Sequence, residues 1–178
     1  HLKLVPWAGA AALVKRTDLK GNLMHNMTSS KTWEFGRAYC FLPLPVHTGL
    51  PIHINGYFEL SSNRRDIWSG TDMAGDGALR AKWNECLLHD IVVPCYVRLL
   101  TKNTLSLGKN PDSDQLLAHY QLFPIDRQTS LIWKKMIGKF YVEIKNSKLL
   151  YTTSGNGQWM TPHENVYLLP FVENMQKF

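Results

Sequence analysis

The chain has 178 residues, 44% of them hydrophobic, with a formal net charge of +6 and a pI near 9.3. That is the length of one domain with apolar content enough for a packed core, which excludes an intrinsically disordered chain. No apolar run approaches the roughly 18 residues of a membrane-spanning helix, and the scattered lysines form no basic block, which argues against nucleic acid as a partner.

Taken in chain order, residues 2–14 read as an extended apolar segment interrupted at Pro6 and Gly9. Residues 17–32 have no hydrophobic period and read as a long mobile loop. Residues 33–43, with "AYCFL", read as a strand, and "PLPVHTGLP" supplies turn signals. Ile52, Ile54, Gly56, Phe58 and Leu60 alternate on one face. Together these predict an antiparallel pair of Ala38–Leu42 with Ile52–Leu60. Gly56 reads as a bulge or a close backbone approach.

Residues 69–77 predict a turn rather than a calcium loop, because Ala74 and Trp83 stand where oxygen ligands are needed. Trp68 and Trp83 flank that turn and are expected to anchor it to the core. From Ala78 to Leu100, Trp83, Leu87, Leu88, Ile91, Val92, Cys95, Tyr96, Leu99 and Leu100 recur at three and four, the spacing of an amphipathic helix. Pro94 is expected to kink or end it. Further helices are predicted over Asp114–Tyr120 and Asp126–Ile144, the latter capped by Asp126 or Thr129. Residues 149–160 predict a hairpin around Gly155 and Gly157. Thr161, Pro162 and Glu164 spell a capping box, and 166–171 a closing strand.

The chain is read as a single module, 1–178, of a larger protein, since it opens on His1 rather than Met. Cys40, Cys86 and Cys95 are an odd set inside apolar runs, as free thiols of a reducing, cytoplasmic compartment are. With His89 they give no closed four-ligand set, so no metal site is expected. His47, His53, His89, His119 and His163 are dispersed and read as surface or internally satisfied residues. No nucleophile–base motif, zinc motif or phosphate-cradling glycine loop occurs. Judged on motifs, the chain is not an enzyme on its own.

One stretch stands apart. In "GYFELSSNRRDIWSG", two adjacent arginines, Arg64 and Arg65, follow a strand on a tight loop. A guanidinium is a rigid planar fork that matches phosphate or carboxylate oxygens two at a time. Ser61, Ser62 and Asn63 are expected to shape the loop by side-chain to backbone bonds. Strand alternation lets one arginine face a given ligand, with the other expected to pair with Asp66, Glu59 or Glu85. The alternative is a turn whose arginines make structural ion pairs.

The strings "GRAYCFLPLPVHTGLPIHINGYFELSSNRRDIW" and "WNECLLHDIVVPCYVRLL" resemble the repeated region of the sacsin family, and the C-terminal "FYVEIKNSKLLYTTSGNGQWMTPHENVYLL" is similar to a further segment of it. The resemblance covers roughly 33–170. It implies a chaperone or co-chaperone module that follows an ATP-binding domain similar to that of the ninety-kilodalton heat-shock chaperones. It further implies a fold like their middle domain: α+β, a mixed sheet with antiparallel hairpins packed against amphipathic helices. In those chaperones one arginine of a loop reading roughly "LPLNISRE" reaches the γ-phosphate of ATP held next door. Laid on "YFELSSNRR", that arginine falls on Arg64; the acidic position after it is Arg65 here, so both stand as candidates for a catalytic contribution. No cofactor is expected in this chain, with ATP and magnesium in the parent protein. The implied partners are the adjacent ATP-binding domain, chaperone clients and the seventy-kilodalton chaperone system. A structural or client-binding module with no role in hydrolysis is the rival expectation.

Overall fold

The computed structural model describes residues 5–13, 36–70, 74–126, 130–154 and 156–163. The predicted loop 17–32 and the strand at 166–171 lie outside them, as does Glu164 of the predicted capping box. The fold is α+β.

Four strands form a mixed sheet in the order β1-β4-β2-β3. They are β1 (Ala8–Ala11), β2 (Arg37–Cys40), β3 (Leu42–His47) and β4 (His53–Gly56). β4 pairs antiparallel with β1, Ala8 opposite Gly56 and Ala11 opposite His53. It pairs parallel with β2, Ala38 opposite Ile54. The expected antiparallel pairing of these two segments is therefore overturned. The antiparallel partner of β2 is β3, the proline-rich stretch read as a turn. Prolines are tolerated there because β3 is an edge strand, where N–H groups on the solvent side make no ladder bond. The β2–β3 turn is as tight as a hairpin can be: Phe41 alone separates the strands, with φ 61°.

The chain then crosses from the outer edge back to β4 through 48–52, directly over Gly36. Gly36 donates to Leu50 O (2.6 Å), and its own carbonyl accepts from the Thr48 hydroxyl (2.7 Å). A Cβ on Gly36 would lie 1.5 Å from the Ile52 carbonyl oxygen, so only glycine fits. Gly56 marks the expected close approach: its Cβ would stand 3.3 Å from both Ala8 and Leu87.

The helical half is one long element followed by two shorter ones. α1 (Asp76–Cys86) runs through a wide π-turn at Leu87–Val92 into α2 (Val93–Leu107). Pro94 neither ends nor breaks it. A proline ring collides with the carbonyl four residues back and lacks an N–H. A turn with i→i+5 bonding, seen in Val93 N–H donating to Leu88 O, makes room for the ring. α3 (Ser113–Tyr120) opens with a capping box in which Asp112 and Gln115 bond reciprocally. α4 (Leu131–Glu143) begins five residues later than expected, with Ser130 at its N-cap. Asp126 instead ion-pairs with Lys134, and Thr129 lies outside the described residues. β5 (Leu150–Thr152) and β6 (Gln158–Met160) form the expected hairpin.

The core is one cluster. Ala38, Leu44, Ile52, Ile54 and Phe58 from the sheet side meet Leu88, Val92, Tyr96 and Leu100 from the long helix. Trp133, Met136 and Phe140 of α4 complete it. Burying a large apolar side chain contributes about 1.5–3 kcal/mol.

Candidate functional site: an arginine loop clamped at base and tip

After β4 the chain runs out through Glu59 and Leu60, turns over Ser61–Asp66 and returns through Ile67 and Trp68. Leu60 and Ile67 form an isolated antiparallel bridge, and Trp68 N–H donates to Glu59 O (3.1 Å).

The base is fixed by α1. Asn84 is fully buried, and its amide acts as an extra strand. Its Oδ1 accepts from Glu59 N–H (2.8 Å), and its Nδ2 donates to Glu59 O (2.7 Å) and Trp68 O (2.9 Å). Trp68 and Trp83, expected to anchor the 69–77 turn, bond this loop's base instead: Trp68 Nε1 donates to Leu60 O (2.7 Å) and Trp83 Nε1 to Tyr57 O (2.8 Å). Arg80 bonds Glu59 (3.5 Å) and lies 5.9 Å from the Trp68 ring centroid.

The tip is fixed by its own polar side chains. Arg64 N–H donates to Ser61 O (2.8 Å) and Ser61 N–H to Asp66 O (2.9 Å). Asn63 Oδ1 accepts from the Ser61 hydroxyl (2.7 Å) and from Arg65 N–H (3.0 Å), and Ser61 Oγ accepts from Asp66 N–H (3.1 Å). Ser61 and Asn63 thus shape the loop. Ser62 does not: it is exposed, and its hydroxyl joins no bond among the described residues.

The arginines are displayed by this frame. Arg64 has φ 56°, a left-handed conformation costly for a residue with a Cβ. Its exposed guanidinium donates one long bond, 3.4 Å, to the Cys40 carbonyl at the β2–β3 turn. The Arg65 side chain is exposed and has no partner among the described residues. The expected pairing of one arginine with Asp66, Glu59 or Glu85 does not occur among them. Glu59 is taken by Arg80, and Glu85 by Lys82 (3.1 Å) and Lys135 (3.3 Å). The hydrogen bond from Lys82, helped by Lys135 and opposed by partial burial, holds the Glu85 carboxyl below its usual range. α1 brings Arg80 to Glu59 and α4 brings Lys135 to Glu85, pairs that sequence distance concealed, while Lys82 lies one helical turn from Glu85.

The remaining candidates are dispersed. Cys40, Cys86 and Cys95 are free thiols, each half-buried. Among the described residues no group of three His, Cys, Asp or Glu side chains could hold a metal ion, and no helix is long and apolar enough to cross a membrane. His119 is fully buried between Asn103 (Nδ1, 3.0 Å) and Leu149 O (Nε2, 3.0 Å).

No family model matches the chain, and no solved structure matches it. Among curated proteins, human sacsin is 32% identical over 185 residues, an alignment that takes in 99% of this chain. The chain spans 4% of the length of that relative. The alignment takes in the arginine loop, the long helix and the hairpin, and the chain belongs to the sacsin family.

Proposed function

We propose that this chain is a module of a sacsin-type chaperone or co-chaperone that lends an arginine to a separate ATP-binding domain of the same polypeptide. The observation that carries the reading is the arginine loop. Two exposed guanidinia stand on a tip locked by Ser61 and Asn63 and a base locked by Asn84, and neither pairs with a carboxylate among the described residues. A cation held ready in this way opposes charge that builds on the oxygens of a transferring phosphoryl group without reorganising when it does so.

In this reading ATP and magnesium belong to the neighbouring domain and turnover needs both parts. Chaperone clients, and a seventy-kilodalton chaperone partner, would engage the assembled protein.

The test is ATP hydrolysis by the intact polypeptide that carries this chain and its ATP-binding domain, with Arg64→Ala and Arg65→Ala compared. Arginines supplied to phosphoryl transfer are worth roughly 10³ to 10⁵ in rate. Here a fall at or below the low end is expected for one variant, with unfolding behaviour unchanged in both. Equal turnover in parent and both variants would leave a structural or partner-binding module.

A further inference from the structure

The described residues contain two non-glycine positions with positive φ, Phe41 (61°) and Arg64 (56°), and they are neighbours in space. Arg64 bonds the carbonyl of Cys40, the residue before Phe41. Left-handed conformations at bulky residues are costly and concentrate where a surface has a task. Phe41 is held in its conformation by Asn55, whose Oδ1 accepts the Phe41 N–H (3.2 Å).

What this geometry displays is apolar. Phe41 is 69% exposed and Leu42 beside it 66%. Phe41 lies against Tyr57, ring centroids 5.0 Å apart, and Tyr57 against Trp7, itself 45% exposed, at 5.3 Å. Three chain segments, the approach to β1, the β2–β3 turn and the exit from β4, converge to make this row. The rings already touch, so they lose little rotamer freedom when covered. Large aromatics in pre-packed rows bordered by arginine are what binding hot spots are made of. The border is cationic: the Arg64 guanidinium reaches the Cys40 carbonyl there, and Glu59 is already taken by Arg80.

We propose that Trp7, Tyr57, Phe41 and Leu42, with the guanidinium of Arg64 at their border, form one docking surface for an acidic face of the neighbouring ATP-binding domain. The proposal rests on the reading of that domain given above. The commitment to this occupant follows from continuity and charge. A domain that brings a triphosphate to the loop tip must cover the ring beside the tip, and its facing groups must complement a guanidinium that no carboxylate among the described residues neutralises. The aromatic row supplies affinity and the arginines supply register and, at the tip, chemistry.

The test uses the intact polypeptide, with dyes on this module and on the ATP-binding domain. Closure is read by energy transfer as a non-hydrolysable ATP analogue is added, and ATP hydrolysis is read separately. Phe41→Ala and Trp7→Ala are each expected to lower the closure constant about fivefold or more. Phe41→Tyr should restore it, and Leu105→Ala on the far helix should leave it unchanged. Thermal unfolding of each variant shows that the fold is kept. Closure unaltered in both aromatic variants would overturn the docking surface, even if Arg64→Ala or Arg65→Ala still slowed hydrolysis. Aromatic variants that weaken closure while neither arginine alters hydrolysis would keep the surface and remove the catalytic reading. Unaltered closure with lost capture of a denatured reporter protein would identify a client as the occupant and overturn this proposal.

Discussion

Asn84 is the residue on which the candidate site depends, and nothing in the local sequence marks it. It sits among "WNE" on a helix, where asparagine is a mediocre helix former with no visible partner. Its partners, Glu59 and Trp68, are 25 and 16 positions away. Removing the amide leaves the Glu59 N–H and the Trp68 carbonyl without their partner, while Glu59 O keeps its bond from Trp68 N–H. Unsatisfied buried groups cost about 1–3 kcal/mol each, so Asn84→Ala should lower stability by about 2–4 kcal/mol in urea denaturation. Asn84→Asp should do no better, because a carboxylate would face the Glu59 and Trp68 carbonyls. Ser61 and Asn63, by contrast, were legible as loop formers because their bonds are local. Ser62 carries the same chemistry one position out of reach.

At the scale of elements, periodicity named the long helix and a glycine turn the terminal hairpin, while prolines misled. Pro94 is accommodated by a widened turn and Pro43 and Pro45 by an edge strand; both solutions depend on what lies beside the element. The joint between α2, α3 and β5 shows the same dependence. His119 bridges Asn103 and Leu149 inside a ring of Tyr120, Phe123 and Trp159. Burial lowers its pKa, partly offset by the bond to the Leu149 carbonyl. Partial burial lowers His89 also. The unfolded chain therefore takes up protons first. The stabilisation is whole above the ordinary histidine value near 6.5 and is lost as pH falls from there through the lowered folded values. The unfolding midpoint should drop between neutral pH and the carboxylate range. In His119→Gln the drop should be shallower, His89 supplying what remains. A midpoint equally steep in both proteins would place the titrating group elsewhere.

For the whole molecule, the decisive fact is that one core serves both halves. Phe140 of α4 packs on Tyr96 of α2 (centroids 4.7 Å) and on Phe123 (6.1 Å), and Trp133 beside it is buried. Truncating such a ring leaves a cavity and costs about 3–5 kcal/mol. A domain of this size holds only about 5–15 kcal/mol in total. Phe140→Ala should therefore remove a large share of the stability, read as a lower urea midpoint at unchanged slope. Because the arginine loop is frozen by α1, and α1 continues into α2, loss of the α2–α4 contact should loosen the loop through global unfolding, with no separate local transition.

The helix faces, Ser61 and Asn63 as loop formers and the two arginines were set by the sequence alone, because each depends on short-range spacing and residue chemistry, while the α+β class came from the family resemblance. The parallel pairing of β2 with β4, the crossing over Gly36, the Asn84 clamp, the freedom of both guanidinia from carboxylates and the aromatic row beside them were decided by tertiary structure. Each of those depends on groups far apart in sequence being brought together. Arg80 reaches Glu59, and Lys82 and Lys135 reach Glu85, which leaves the loop's own cations without a carboxylate among the described residues.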